Sequence, residues 1–149
     1  MIIKENLYNQ CQDFVNNRLQ TIQDIITSNQ KALQSETKSS AGDKHETGRA
    51  MLQLEMEKAG QQLAGVTQMK ETLAKIDVSK SSKTASLGSI IKTEKVNYFL
   101  SISAGQLTVA DTNYFAISPS SPIGKLLLGK QEKETITFNG TTITIKEVV

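Results

Sequence analysis

From Glu5 to Lys38 the chain contains neither glycine nor proline, and its apolar residues return at helical spacing. Leu7, Cys11, Phe14, Val15, Leu19, Ile22, Ile26 and Leu33 fall on one stripe. A second run from Thr47 to Ile76 carries Leu52, Met56, Ala59, Leu63, Val66, Leu73 and Ile76, separated by threes, fours and one seven. Alternating threes and fours make the narrow seam of a coiled coil, not the broader apolar face of a helix packed on a globular core. Between the runs lies Lys-Ser-Ser-Ala-Gly-Asp, short, polar and glycine-containing, as a reversal between two helices requires.

The register of such a hairpin can be checked from residue numbers alone, because facing residues in an antiparallel pair share a constant sum. Leu33 with Leu52, Ile26 with Ala59, Ile22 with Leu63 and Leu19 with Val66 share one sum, and its midpoint falls at Gly42–Asp43. Asn29 opposite Met56 and Lys70 opposite Val15 obey the same rule, as polar residues that set register. Gly48, Gly60 and Gly65 weaken the second helix, each by about 1 kcal/mol relative to alanine. A long two-helix stem buries little for its length. Its shape suits either reach, with the tip delivered to a deep place, or self-association.

Five of the seven aromatic residues and both prolines lie after residue 97, so a globular core is expected in the last third of the 149 residues. A net charge of +2 does not argue for nucleic-acid or membrane-surface binding. The single cysteine, Cys11, excludes an internal disulfide, and no Cys/His cluster has zinc-ligand spacing. No apolar run approaches the roughly 20 residues of a membrane span, and no signal-peptide core opens the sequence. A cytoplasmic protein with no membrane partner is the expectation.

The tip reads Ala41-Gly42-Asp43-Lys44-His45-Glu46-Thr47. Asp at an N-cap with Glu three residues later is a capping box, which satisfies orphan backbone N–H groups. The same two carboxylates, exposed at the end of a stem, also suit a hard cation such as magnesium. Lys44 and Arg49 stand near enough in sequence to meet phosphate oxygens.

Residues 78–85 are small and polar, as a linker is. Beyond them, β-rich runs cover Ser89–Lys92, Val96–Ser103, Leu107–Val109, Tyr114–Ser118, Thr135–Phe138 and Thr141–Val148, and Asn139-Gly140 is a strong hairpin turn signal. One short helix is expected between Ser118 and Glu134, with Ser121 as cap, Pro122 in the first helical position and Gly129 at the end.

Ser121-Pro122-Ile123-Gly124-Lys125, followed by Leu127, Leu128, Gly129 and Lys130, closely resembles the SPIGKALLGK signature of the GreA/GreB transcript cleavage factors. Gly42-Asp43-x-x-Glu46 is similar to the acidic tip of that family and sits where the register places the turn. The resemblance implies an α+β protein: an antiparallel coiled-coil hairpin over 1–77 with its tip near 39–47, a linker at 78–85, and over 86–149 a small FKBP-like antiparallel β-sheet domain with one short helix. It further implies docking on RNA polymerase core through Ser121, Pro122, Ile123, Gly124 and Lys125, with the coiled coil in the secondary channel. Asp43 and Glu46 would share the polymerase's Mg2+ during cleavage of backtracked nascent RNA, with Lys44 and Arg49 near the RNA phosphates. On this reading the chain is not itself an enzyme, has no cofactor of its own and takes no small-molecule substrate.

The family tip commonly reads GDLSENAEY, whereas this chain has GDKHETGRA. The carboxylate pair is kept and its neighbours are not. A channel-binding regulator that does not promote cleavage therefore stands beside the cleavage factor as an alternative. Prolyl isomerisation would need an aromatic-lined apolar pocket, which five scattered aromatics do not furnish. Cys11 lies inside the first helix, far along the chain from the only histidine, and reads as a small core residue rather than a nucleophile.

Overall fold

The computed structural model describes residues 2–38 and 42–149, and at 36–38 and 42–46 the backbone alone. The protein is α+β. Two long helices, α1 (Ile2–Lys38) and α2 (Gly42–Ala74), pack against each other. A six-stranded mixed sheet follows, built from β1 (Ile90–Thr93), β2 (Asn97–Leu100), β3 (Gly105–Val109), β4 (Thr112–Ile117), β5 (Thr135–Phe138) and β6 (Thr141–Val148). A short helix, α3 (Pro122–Leu127), lies between β4 and β5 in sequence. Among the described residues, no helix is long and apolar enough to cross a membrane. The chain forms two compact units, Val15–Met69 and a second made of Met1–Phe14 with Lys70–Val149.

In the helical unit, Val15, Ile22 and Asn29 of α1 are buried at intervals of seven, with Leu19, Ile26 and Leu33 half-buried between them. Ala59 and Val66 of α2 are buried seven apart, and Leu52, Met56 and Leu63 are half-buried. This is the stripe the sequence periodicity predicts, and it is narrow enough to leave Ile25, Met51 and Leu54 exposed. Asn29, 7% exposed, sits in the stripe with its side-chain Nδ2 unpartnered.

In the second unit the strand order is β3-β4-β2-β1-β6-β5. β5 and β6 form the hairpin expected from Asn139-Gly140, with Phe138 opposite Thr141 and both turn residues at positive φ. The sheet is not wholly antiparallel, contrary to the sequence-based expectation, because β2 pairs with β4 in parallel, Asn97 to Tyr114 through Leu100 to Ile117. The cause is the short path after β2. Ser101 to Ala104 carries the chain two strand spacings sideways, and β4 then returns into the gap between β2 and β3. Ser101 N still donates to Ile117 O of β4 at 2.8 Å, and the Ala104 N to Ile102 O bond at 3.0 Å then turns the chain out of β2.

Strand alternation sorts the apolar residues onto two faces. One carries Ile91, Tyr98, Leu100, Ile143, Ile145 and Val148, which pack with Ile136, Ala85 and Leu127 of α3 into one cluster. The opposite face carries Ile90, Phe99, Ala116 and Tyr114, all buried. The first turns of α1 belong to this side. Cys11 Sγ lies 3.6 Å from Ser101 Oγ, Gln10 Nε2 donates to Thr108 O at 2.9 Å, and Leu7 and Cys11 are fully buried. Lys70, expected in the helix seam, is exposed, its long stem keeping the ammonium in water.

The 78–85 stretch is tied down at several points. Lys80 O accepts from Lys4 Nζ at 2.9 Å, Ser79 N donates to Asp77 Oδ1 at 3.0 Å, and Thr84 bridges to Gln131. The Asp77 carboxyl is held below the usual carboxylate range, chiefly by the Ser79 hydroxyl and then by the Ser79 backbone N–H.

Candidate functional site

The segment Ser121-Pro122-Ile123-Gly124-Lys125 builds the start of α3. Ser121 has extended backbone geometry, and its Oγ accepts from Gly124 N at 3.1 Å while donating to Ser118 O at 2.6 Å. Ser118 O also accepts from Ser121 N at 3.0 Å. Pro122 follows as the first helical residue, where its missing N–H costs nothing. Gly124 is buried against this loop: a Cβ there would collide with Ser118 O and lie 2.8 Å from Ser121 Oγ and 3.0 Å from Pro119 Cα. The far end closes as the sequence predicts. Gly129 has φ +83°, and its N–H donates to Ala85 O at 2.8 Å, joining the helix terminus to the segment before β1.

The five residues differ in what they offer a partner. Pro122 and Lys125 are exposed, Ser121 and Ile123 are half-buried, and Gly124 is buried. Leu126 and Leu128, 38% and 47% exposed, extend the accessible apolar surface beside Lys125, while Leu127 between them is fully buried in the core. Much of the motif is thus committed to making the turn.

At the other candidate site, the backbone of residues 42–46 forms the opening of α2. Helix α2 opens at Gly42, and the capping-box reading of Asp43 and Glu46 rests on side chains outside the described residues. The side chains of Asp43, Lys44 and Glu46 lie outside the described residues, and with them the metal and RNA-phosphate assignments made from the sequence. Arg49 is described and is exposed on α2. Arg49 belongs to the Val15–Met69 unit, and α3 to the unit of Met1–Phe14 with Lys70–Val149.

Cys11 is a packed core residue. Burial pushes its thiol up from the ordinary cysteine range, only partly opposed by the hydrogen bond with Ser101. A protonated thiol with no solvent access is a poor nucleophile.

Sequence reasoning gave no role to Lys4. It is nonetheless 5% exposed and beside a cavity that it shares with Lys92 and Tyr114. Nothing in the local sequence marks it, since a lysine in the first turn of a long helix is ordinarily solvated. Its burial arises from packing against Ser81, Ile90 and Tyr114, between 77 and 110 positions further along the chain.

No protein-family model matches this chain, and no curated protein matches it in sequence.

Proposed function

We propose that this chain is an RNA-polymerase-binding transcription factor of the GreA/GreB kind, in which Val15–Met69 acts as an antiparallel coiled-coil hairpin and the sheet unit as an FKBP-like docking domain. The observation that carries the reading is a coincidence of two motifs with two structural positions. Gly42-Asp43-x-x-Glu46 opens α2, and Ser121-Pro122-Ile123-Gly124-Lys125 forms the cap and first residues of α3. Docking would use Pro122, Ile123 and Lys125, with Ser121 and Gly124 holding them in place.

Residues 43 and 46 are three apart on helical backbone, a spacing that puts their Cβ atoms about 5–6 Å apart on one helix surface. Two carboxylates so placed are a fitting donor set for magnesium, which prefers hard oxygen ligands and commonly takes one or two of them from protein. When bound, such an ion makes a coordinated water more acidic and offsets charge on a phosphodiester. Asp43 and Glu46 would hold and orient; the polymerase would cleave the RNA. Lys44 and Arg49 would meet RNA phosphates.

The substituted neighbours Lys44, His45 and Thr47 favour a second reading, in which the same hairpin occupies the secondary channel without promoting cleavage. Stalled elongation complexes distinguish the two. With added wild-type protein, backtracked transcripts shorten, and the D43A/E46A variant still competes for core polymerase but leaves them intact. Inhibition by wild type without any shortening selects the second reading. Failure of the full chain to bind core polymerase refutes both.

A further inference from the structure

Among the described residues of the Val15–Met69 unit, burial stops partway along both helices. Val15, Ile22 and Asn29 of α1 are buried, and no residue from 30 to 35 is. On α2, Ala59 and Val66 are buried, and no residue from 47 to 58 is. Beyond Asn29 the best-covered apolar side chains, Ala32, Leu33, Leu52 and Met56, are only half-buried, while Met51 and Leu54 are 61% and 66% exposed.

The last buried position of α1 among these residues is therefore a polar one. Asn29 is 7% exposed, and its Nδ2 has no hydrogen-bond partner. A buried donor without an acceptor costs free energy that is recovered when water reaches it. In the register read from the sequence, Met56 stands opposite Asn29, and Ala59 opposite Ile26. One of these is long and flexible and the other very short, so neither locks the helices together at this level. Gly60 follows Ala59; a Cβ there would meet nothing within 4 Å, and its φ is not positive. Glycine at such a place serves no packing need and weakens α2 at that turn.

We propose that the helical unit carries an opening point at the level of Asn29: residues 30–35 and 47–56 part from each other and reclose as one unit, while residues 15–26 and 59–69 stay paired. Opening the far segment hydrates Asn29 and gives up only half-buried apolar contacts. Opening the near segment would expose Ile22, Ala59 and Val66, which are buried, and it is resisted accordingly. The device lets a partner remodel the far segment without loosening the near one. It rests on the packing of α1 against α2 alone and stands apart from the polymerase reading.

Amide hydrogen exchange of the full chain, read residue by residue by NMR, tests the proposal. Residues 30–35 and 50–56 are expected to share one level of protection, at least about tenfold below that of residues 19–26 and 60–66. Val66→Ala should speed exchange of the near segment at least about tenfold and leave the far segment within about twofold of wild type, because far-segment opening does not expose Val66. Ile22→Val, with a smaller effect of the same kind, serves where Val66→Ala fails to fold. Asn29→Leu should slow the far segment at least about tenfold, since the closed state then buries no unpartnered donor. Either near-segment variant speeding both segments alike overturns the proposal, because the two helices would then open as a single unit. So does far-segment exchange that Asn29→Leu leaves unchanged, or protection that declines smoothly from residue 19 to residue 35 with no step at Asn29.

Discussion

Replacing Gly124 by alanine should destabilise the sheet unit by about 3 kcal/mol, because the single added methyl has nowhere to go. Its position is blocked by Ser118 O, with Ser121 Oγ and Pro119 Cα close behind. Relief requires the Ser118 carbonyl to move, yet that oxygen accepts from both Ser121 N at 3.0 Å and Ser121 Oγ at 2.6 Å. Losing those two bonds costs about 1 kcal/mol each, and residual overpacking adds roughly 1 kcal/mol or more. For a unit of this size each kcal/mol lowers Tm by about 4–8 °C, so a fall of about 10–25 °C is expected. The assay can isolate the right unit. The chain has no tryptophan, and its three tyrosines, Tyr8, Tyr98 and Tyr114, all belong to the unit that contains α3. Near-ultraviolet circular dichroism during urea unfolding therefore reports that unit, whereas the far-ultraviolet signal is dominated by α1 and α2. The exposed Lys125→Ala is the control and should be near neutral. A G124A midpoint within about 0.5 kcal/mol of wild type would refute the steric account.

Asn29→Leu should stabilise the helical unit by about 1–3 kcal/mol, since it removes an unpartnered buried donor and adds apolar packing; a far-ultraviolet melt that is unchanged or lowered counts against this. Cys11 should react with an aromatic disulfide at pH 8 at least about 100-fold more slowly in the folded than in the denatured chain, and rapid folded-state labelling would contradict its burial. Its pH signature has a defined sign. Because the folded thiol titrates above the reference value of 9.0, its contribution is complete below pH 9 and is lost as pH rises through the folded value. Lys4 acts oppositely: its folded pKa lies below the reference 10.5, so stability recovers with pH up to that value. Comparing wild type with Cys11→Ala isolates the first effect, and the stability difference between them should shrink above pH 9.

Local signals were legible in the sequence, and nonlocal geometry was not. The glycine- and proline-free run after Glu5 is one helix, and the apolar residues assigned to its seam are buried or half-buried. Thr135–Phe138 and Thr141–Val148 match the strands to the residue because Asn139-Gly140 dictates a two-residue turn. The β3–β4 turn is of the same size, but its residues are Ala110 and Asp111, both at positive φ. Alanine rarely adopts that conformation, so the composition conceals the turn, and the pairing of Val109 with Thr112 enforces it. Likewise, the parallel contact of β2 with β4 depends on where the chain goes after Ser101, which no local pattern encodes. The cap of α3 was legible from Ser121, Pro122 and Gly129. The reason for Gly124 was not, because it lies in the placement of the Ser118 carbonyl.

That reason changes what the SPIGK-like segment can be asked to explain. A motif is persuasive as a docking signature only insofar as its residues are free to touch a partner. Ser121 is occupied by Ser118 and Gly124, and Gly124 is sealed beneath the loop, so their identities answer to the turn itself. The residues left to discriminate a partner are Pro122, Ile123 and Lys125, with Leu126 and Leu128 beside them. Under the proposed polymerase reading, Lys125→Glu together with Leu128→Asp should abolish docking while leaving the tyrosine-reported unfolding midpoint within about 0.5–1 kcal/mol of wild type, as expected for exposed positions. A substitution at Ser121 or Gly124 should lower both together. If the surface variants bind core polymerase as wild type does, the motif marks only a well-made helix cap, and the docking surface must be sought elsewhere on the unit.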